Sequence, residues 1–286
     1  MNRQLTLMAV HAHPDDEVLT TGGVLAAAAA EGIRTVLVTC TNGEQGDGPG
    51  GIKPGEPGHD EARVREIRLE ELKESVAQLG ISDVELLGYH DSGMVGWEAN
   101  QRPDAFANIP LEESAGRLAE LMERYRPDVV VTYDENGAYG HPDHIQAHLI
   151  TMAAIKAIKA IKAIKAMKGG RATGVPAKFY YTAISRTRIE EMFDYLRASG
   201  AEMGDFELPD DFGNADEEIT TVVDVSPYVE RKRKALEAHA SQGENIFMLR
   251  LNEEGQQRAF GQEAFVRQFS DVPVPEREDD LFAGLR

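Results

Sequence analysis

Cysteine is nearly absent from this 286-residue chain. Cys40 stands alone, which excludes a disulfide framework and any cysteine-rich zinc site. Positive charge is also short: 30 Lys and Arg face 49 Asp and Glu, for a formal net charge of −19. Phosphate backbones demand a basic surface, so nucleic acid is excluded as a substrate. No apolar run approaches the length of a membrane span, and the opening MNRQLTLMAV lacks the apolar region of a signal peptide. The expectation is a cytoplasmic protein that does not engage a membrane. There is no G-x-S-x-G elbow for a nucleophilic serine and no HExxH pair for a zincin. Where a dinucleotide fold would carry G-x-G-x-x-G after its first strand, this chain has H-A-H-P-D-D, and the Gly22-Gly23 pair lies too far into the following helix.

What is present alternates. Leu5–Val10 reads as a buried strand, and Glu17–Gly32 as a helix that begins after Pro14 and ends on a glycine. Further strands are expected at Arg34–Cys40, Val84–Leu87, Asp128–Tyr133 and Lys178–Ile184, with helices at Ala62–Leu79 and Leu111–Tyr125 and another carrying His144 and His148. This order predicts an α/β, Rossmann-like fold, a mostly parallel sheet covered by helices with a smaller C-terminal subdomain. The boundary falls after residue 186: 1–186 as the main domain, 187–286 completing the cleft. In the latter a helix and an acidic loop precede a strand, a turn at Ser226-Pro227 and a second helix. The Gly- and Pro-rich segment 41–61 is too long for an ordinary connection and suits either a lid or a disordered loop. Residues 153–168, AAIKAIKAIKAIKAMK, repeat every three residues. On a helix each such step turns about 300°, so the isoleucine stripe winds around the axis and presents no constant apolar face. The segment reads as a solvated or partly packed extension of the preceding helix, ended by Gly169-Gly170.

Ligands in parallel α/β sheets sit at the carboxyl ends of the strands. Two of those ends hold most of the eight histidines: His11 and His13 in the first, and His141, His144 and His148 in or just after the second. In His13-Pro14-Asp15-Asp16 the i, i+3 spacing lets His13 and Asp16 meet one ion. His141 and His144 share that spacing, while His144 and His148 form an i, i+4 pair. Two imidazoles and a carboxylate describe a catalytic zinc site, with iron(II) or manganese compatible. Asp15 or Glu17 could serve as a general base. Tyr139 and His141 could stabilise an oxyanion, and Asp143 could orient an imidazole.

AHPDDE with a following GG, and YGHPDH later, resemble the two signature motifs of the PIG-L/LmbE-like family of metal-dependent N-deacetylases. TCTNGEQG, REIRLEEL, HDSGM, VVVTYDENGAYGHPDHIQAH and the closing DDLFAGL are similar to its mycothiol branch, which holds a deacetylase of N-acetylglucosaminyl-inositol and a mycothiol S-conjugate amidase. The resemblance implies His13, Asp16 and His144 as zinc ligands and Asp15 as general base. It further implies His141 as an acid–base or electrostatic histidine oriented by Asp143, Tyr139 as a polariser of the substrate carbonyl, and Arg68 and Asp91 as contacts to sugar or inositol hydroxyls. The substrate implied is a small amino sugar. The helix turn after HPDDE departs from the amidase pattern, with Thr20 and Thr21 where a lysine is expected. Alternatives with the same motifs are the S-conjugate amidase, a hydrolase of another amide or ester, and a binding protein that keeps the fold. Taken singly, the acids after Pro14 would only complement a helix dipole. His90 and His239 read as structural, His11 as supporting, and Cys40 as a small buried hydrophobe.

Overall fold

A computed structural model describes residues 3–167, 175–199, 212–242 and 247–286. In chain order its elements are β1 Thr6–His11, α1 Asp16–Ala30, β2 Arg34–Thr41, α2 Glu61–Leu79, β3 Asp83–Tyr89 and α3 Leu111–Tyr125. They continue with β4 Val129–Thr132, the single turn α4 Gly137–Gly140, α5 Pro142–Met167, β5 Lys178–Ala183, α6 Arg186–Ser199, β6 Thr221–Asp224, α7 Val229–Ala238, α8 Glu253–Phe260 and β7 Gln262–Ser270. The expected strands and helices are all found, within a few residues at their ends. The strand β7 and helix α8 were not anticipated, because QEAFVRQFS mixes charge into its apolar alternation.

The strands form one seven-stranded sheet in the order β3-β2-β1-β4-β5-β7-β6. The first five are parallel, and β7 pairs antiparallel with both β5 and β6. Strand β1 is buried at every position, as the uninterrupted apolar run predicts for a strand covered on both faces. Apolar clusters lie on each side: Leu7, Ala9, Leu25, Leu37 and Leu236 on one, Met8, Val10, Val38, Leu118 and Ile150 on the other. Strand order reverses between β1 and β4, the switch point at which such sheets leave a crevice.

The Gly22-Gly23 pair serves packing. A Cβ on Gly23 would lie 2.4 Å from Val225 Cγ2, so glycine is what lets the β6–α7 connection close on α1. Beside it, Glu263 of β7 accepts the N–H groups of Gly23 and Val24, at 2.8 Å each, and takes Lys232 Nζ at 2.6 Å. Overpacking a filled core costs about 1–3 kcal/mol. Gly23→Ala is therefore expected to lower unfolding free energy by about that amount in urea titration. A wild-type midpoint would show that this junction yields freely.

The winding stripe behaves as its period requires. Ile155 and Ile158 are buried, whereas Ile161, one step further, is 40% exposed. The repeat extends α5 as far as Met167, and the expected stop at Gly169-Gly170 lies outside the described residues, as does most of the expected acidic loop. The segment 41–61 is built from turns. Gly48 N donates to Ile52 O at 2.7 Å, His59 Nε2 lies 2.9 Å from Gly46 O, and Gln242 bonds both backbone groups of Asp47. Among the described residues, no helix is long and apolar enough to cross a membrane.

Candidate metal centre and active site

The ends of β1 and β4 sit side by side, and each releases one HPD turn into the crevice between them. His13 and Asp16 come from the first, His141, Asp143 and His144 from the second. The His13 ring lies 4.6 Å from that of His141 and 5.3 Å from that of His144, centroid to centroid. His13 Nδ1 is 3.3 Å from Asp16 Oδ2, and His144 Nε2 is 3.4 Å from Asp16 Oδ1.

Hydrogen bonding separates the nitrogens by task. His144 Nδ1 bonds Gly137 O at 3.2 Å, which fixes the proton there and leaves Nε2 as an acceptor. Among the described residues that Nε2 is buried without a hydrogen-bond partner, and it faces a carboxylate oxygen. Two lone-pair bearers in such contact call for a cation. Ligands about 2.0–2.2 Å from one tetrahedral metal stand about 3.3–3.5 Å apart, as these atoms do. On His13 the other nitrogen, Nε2, lies 3.1 Å from Asp143 Oδ2. A carboxylate behind a ligating imidazole fixes its tautomer and raises its basicity. Burial disfavours charge on His13, yet Asp91, Asp143 and Asp16 outweigh it and raise its pKa well above the ordinary histidine value. Three carboxylates gathered around one imidazole make the pocket strongly negative, suited to a divalent ion.

Among the described residues, two groups bring three donor atoms together: His13, His141 and His144, and His13, Asp91 and Asp143. The second is already satisfied as a hydrogen-bonded cluster. Asp143 accepts from Ser92 N at 2.9 Å and from the Ser92 hydroxyl, besides His13. Asp91, whose Oδ1 is 3.5 Å from His13 Nε2, accepts Gly93 N at 2.8 Å.

Asp15 caps α1 with φ 120° and ψ −31°, a left-handed conformation that costs a non-glycine residue about 1–3 kcal/mol. Its carboxylate takes Arg68 Nη2 at 2.9 Å, and burial lifts its pKa against the opposing guanidinium. Arg68 is 4% exposed, and it also donates to Pro14 O and Gly43 O. Gly43 has φ 75°, and a Cβ there would meet Arg68 Nη1 at 2.6 Å. The TNGEQG glycine thus makes room for the guanidinium. Arg68 lies under Asp15, and Asp91 lies beside His13, both within the site's floor.

Tyr139 stands at the mouth, 51% exposed, after Ala138 at φ 64°. Its ring is 6.0 Å from His141. Asp143 N donates to His141 Nδ1 at 3.2 Å, which leaves the proton of a neutral ring on Nε2. Burial, then the neighbouring His13 and His144, push His141 down to about 3. The Asp143 carboxylate itself faces His13 rather than His141, a correction to the expected pairing. The turn at Pro142 directs that side chain inward toward Ser92, and only its backbone reaches His141.

Two contributors are given no site role by the sequence. Tyr133 donates to Asp16 Oδ2 at 2.7 Å and accepts Ala12 N at 2.9 Å, tying β4 to the first HPD turn. A hydroxyl at the last position of a buried run was the only hint. His239 lies at 2.8 Å from Glu17, 222 residues away in the chain.

Residues 8–155 match the family described as PIG-L: GlcNAc-PI de-N-acetylase. The chain is 39% identical to a protein of Catenulispora acidiphila named 1D-myo-inositol 2-acetamido-2-deoxy-alpha-D-glucopyranoside deacetylase 1, over 98% of this chain and 89% of that one. It is 40% identical to an Acidothermus cellulolyticus deacetylase of the same substrate name, over 98% and 95%. Among solved structures, N,N'-diacetylchitobiose deacetylase from Pyrococcus horikoshii superposes with a TM-score of 0.61 at 17% identity, covering 92% of this chain and 83% of that one. The 4-carboxy-2-hydroxymuconate hydratase GalB from Pseudomonas putida reaches 0.60 at 19% identity, covering 95% and 99%. A fold shared by a deacetylase and a hydratase leaves the chemistry to the site.

Proposed function

We propose for this chain, which belongs to the PIG-L family of GlcNAc-PI de-N-acetylases, the hydrolytic removal of the acetyl group from an N-acetylglucosamine linked to inositol. The observation that carries the reading is the near-full-length likeness, at about 40% identity, to deacetylases named for that substrate. His13, Asp16 and His144 are the proposed ligands of a zinc ion, a metal that suits two imidazoles and a carboxylate. Bound there, zinc would supply Lewis acidity toward the acyl oxygen. Asp15 takes the proton of the attacking water and returns it to the departing amine. Arg68 holds the Asp15 carboxylate toward the crevice. Tyr139, exposed at the mouth, and the Nε2–H of neutral His141 donate to the oxygen that gains negative charge. Asp143 keeps the His13 imidazole oriented, and Asp91 reaches the sugar hydroxyls from the floor. Residues 187–286 are proposed to complete the cleft: Asn214 lines a pocket together with Thr20, Asn136 and Ala138, the neighbour of Tyr139, and Gln242 pins the 41–61 turns.

The test offers metal-loaded protein three substrates: N-acetylglucosamine, its inositol glycoside and a mycothiol-type conjugate. Released primary amine is quantified. Acetate and amine should appear fastest from the inositol glycoside, vanish on chelation and return with added zinc. Preference for the conjugate would move the assignment to the amidase reaction. Metal-independent turnover would remove the ligand assignment.

A further inference from the structure

The carboxylate of Glu17 is fully buried and shared three ways. Oε2 accepts Asp15 N at 2.9 Å. Oε1 accepts the Ser75 hydroxyl at 2.6 Å and lies 2.8 Å from His239 Nε2. The His239 ring has no solvent exposure, and among the described residues its Nδ1 has no hydrogen-bond partner, so Nε2 directed at Glu17 is the one hydrogen-bonding contact of its side chain there. An imidazole and a carboxylate are an expensive way to fasten α7 against α1, since apolar residues of similar volume do that as well or better. What the pair adds is direction. Glu17 presents one oxygen to the N–H of a residue whose backbone is held at φ 120°, and His239 holds Glu17 in that pose.

We propose that His239 is a positioning residue for Asp15, acting through Glu17 to hold the backbone of the proposed general base in its strained conformation. Arg68 constrains the carboxylate, and Glu17 constrains the peptide through its N–H. With both in place Asp15 cannot relax into an ordinary helical cap. A displacement of about 1 Å at a reacting group costs about 100-fold in rate. The C-terminal region thereby reaches the chemistry without touching substrate.

This inference rests on Asp15 being the base of the deacetylation, so the experiment pairs kinetics with a substrate-free measurement. His239→Ala, His239→Gln and Ser75→Ala are compared with wild type for kcat, KM, bound zinc and thermal unfolding, and His239→Ala and wild type are crystallised. The His239→Ala kcat is expected to fall about 10- to 100-fold, with KM and zinc content unchanged. In His239→Gln the amide can donate to Glu17 in place of Nε2–H, and kcat should recover most of that loss. In the His239→Ala crystal, Asp15 should leave positive φ and its contact with Arg68. Wild-type kcat in His239→Ala would overturn the proposal, as would an unmoved Asp15 or a kcat loss that tracks lost zinc. Should His239→Ala not fold, Ser75→Ala carries the same comparison, with a smaller fall in kcat expected and no change in KM. If wild type releases no amine, the functional reading fails by itself, and the Asp15 backbone in the variant crystal still decides the positioning role.

Discussion

Asp15→Asn is expected to lower kcat for amine release by about 10²–10⁴-fold while zinc content and fold are retained. The amide keeps the shape of the carboxylate and can still accept from Arg68 Nη2, which lies 2.9 Å from Asp15 Oδ2. It cannot take a proton from water. Asparagine also tolerates positive φ, so the substitution adds no backbone strain at φ 120°. Asp15→Ala is the less informative change, since it removes the base and leaves buried Arg68 without its carboxylate in the same step. Burial raises the Asp15 pKa, making it a stronger proton acceptor than an exposed aspartate. Turnover by Asp15→Asn within threefold of wild type would return the base role to another group (a threshold far inside the usual 10²–10⁴ range).

The second large effect lies away from the site. Glu278 is fully buried at its side chain and accepts from Lys178 Nζ, Tyr180 Oη at 2.9 Å and Arg267 Nη1. Its backbone N donates to Thr220 O at 2.8 Å and its O accepts Val222 N at 3.0 Å, so the segment after β7 lies along β6. Removing one member of a buried ion network leaves the others charged and unpaired, at a cost of about 3–5 kcal/mol. Glu278→Ala should therefore lose about that much unfolding free energy in urea titration, with Lys178→Met milder because Glu278 keeps Tyr180 and Arg267 as partners. Burial opposes ionisation of Glu278, but Lys178, Arg267 and Tyr180 prevail and lower its pKa below 4.5. Burial presses Lys178 the other way, toward its neutral form, so the acid response is governed by Glu278. A depressed carboxyl pKa stabilises the fold above its unfolded value and loses that contribution as pH falls through the folded one. Wild type should thus lose stability on acidification below about pH 4.5 more steeply than Glu278→Gln. Equal slopes would exclude Glu278 from that response.

The two HPD turns were legible because metal ligation needs particular side chains at particular spacings, and both conditions are local. The five parallel strands were legible for a similar reason: runs such as RTVLVTC and DVVVTY admit few other environments. Partnerships across the chain were not. The family resemblance implies that Asp143 orients His141, yet its carboxylate bonds the His13 ring, 130 residues away. The Gly22-Gly23 pair lies too far into its helix for a dinucleotide turn, and Gly23 is explained by Val225, which no local pattern could bring to it. His239 read as structural because a lone histidine after an amphipathic helix has no motif around it. The strand β7 escaped because Glu263, Arg267 and Gln268 interrupt its alternation, and the two charged ones are spent on buried partners found elsewhere.

The order of strands across the sheet differs from the order in which the ribosome delivers them. Strand β6 reaches the sheet only through β7 and also lies along the segment at 278, both of which are synthesised after it. Until residue 262 has emerged, β5 presents an unpaired edge and β6 has no partner strand. The parallel half can assemble as the chain appears, since each of its strands finds a neighbour already made or soon to follow. The other half must wait for the closing residues, and a nascent chain paused between 225 and 261 exposes the kind of strand edge on which aggregation begins.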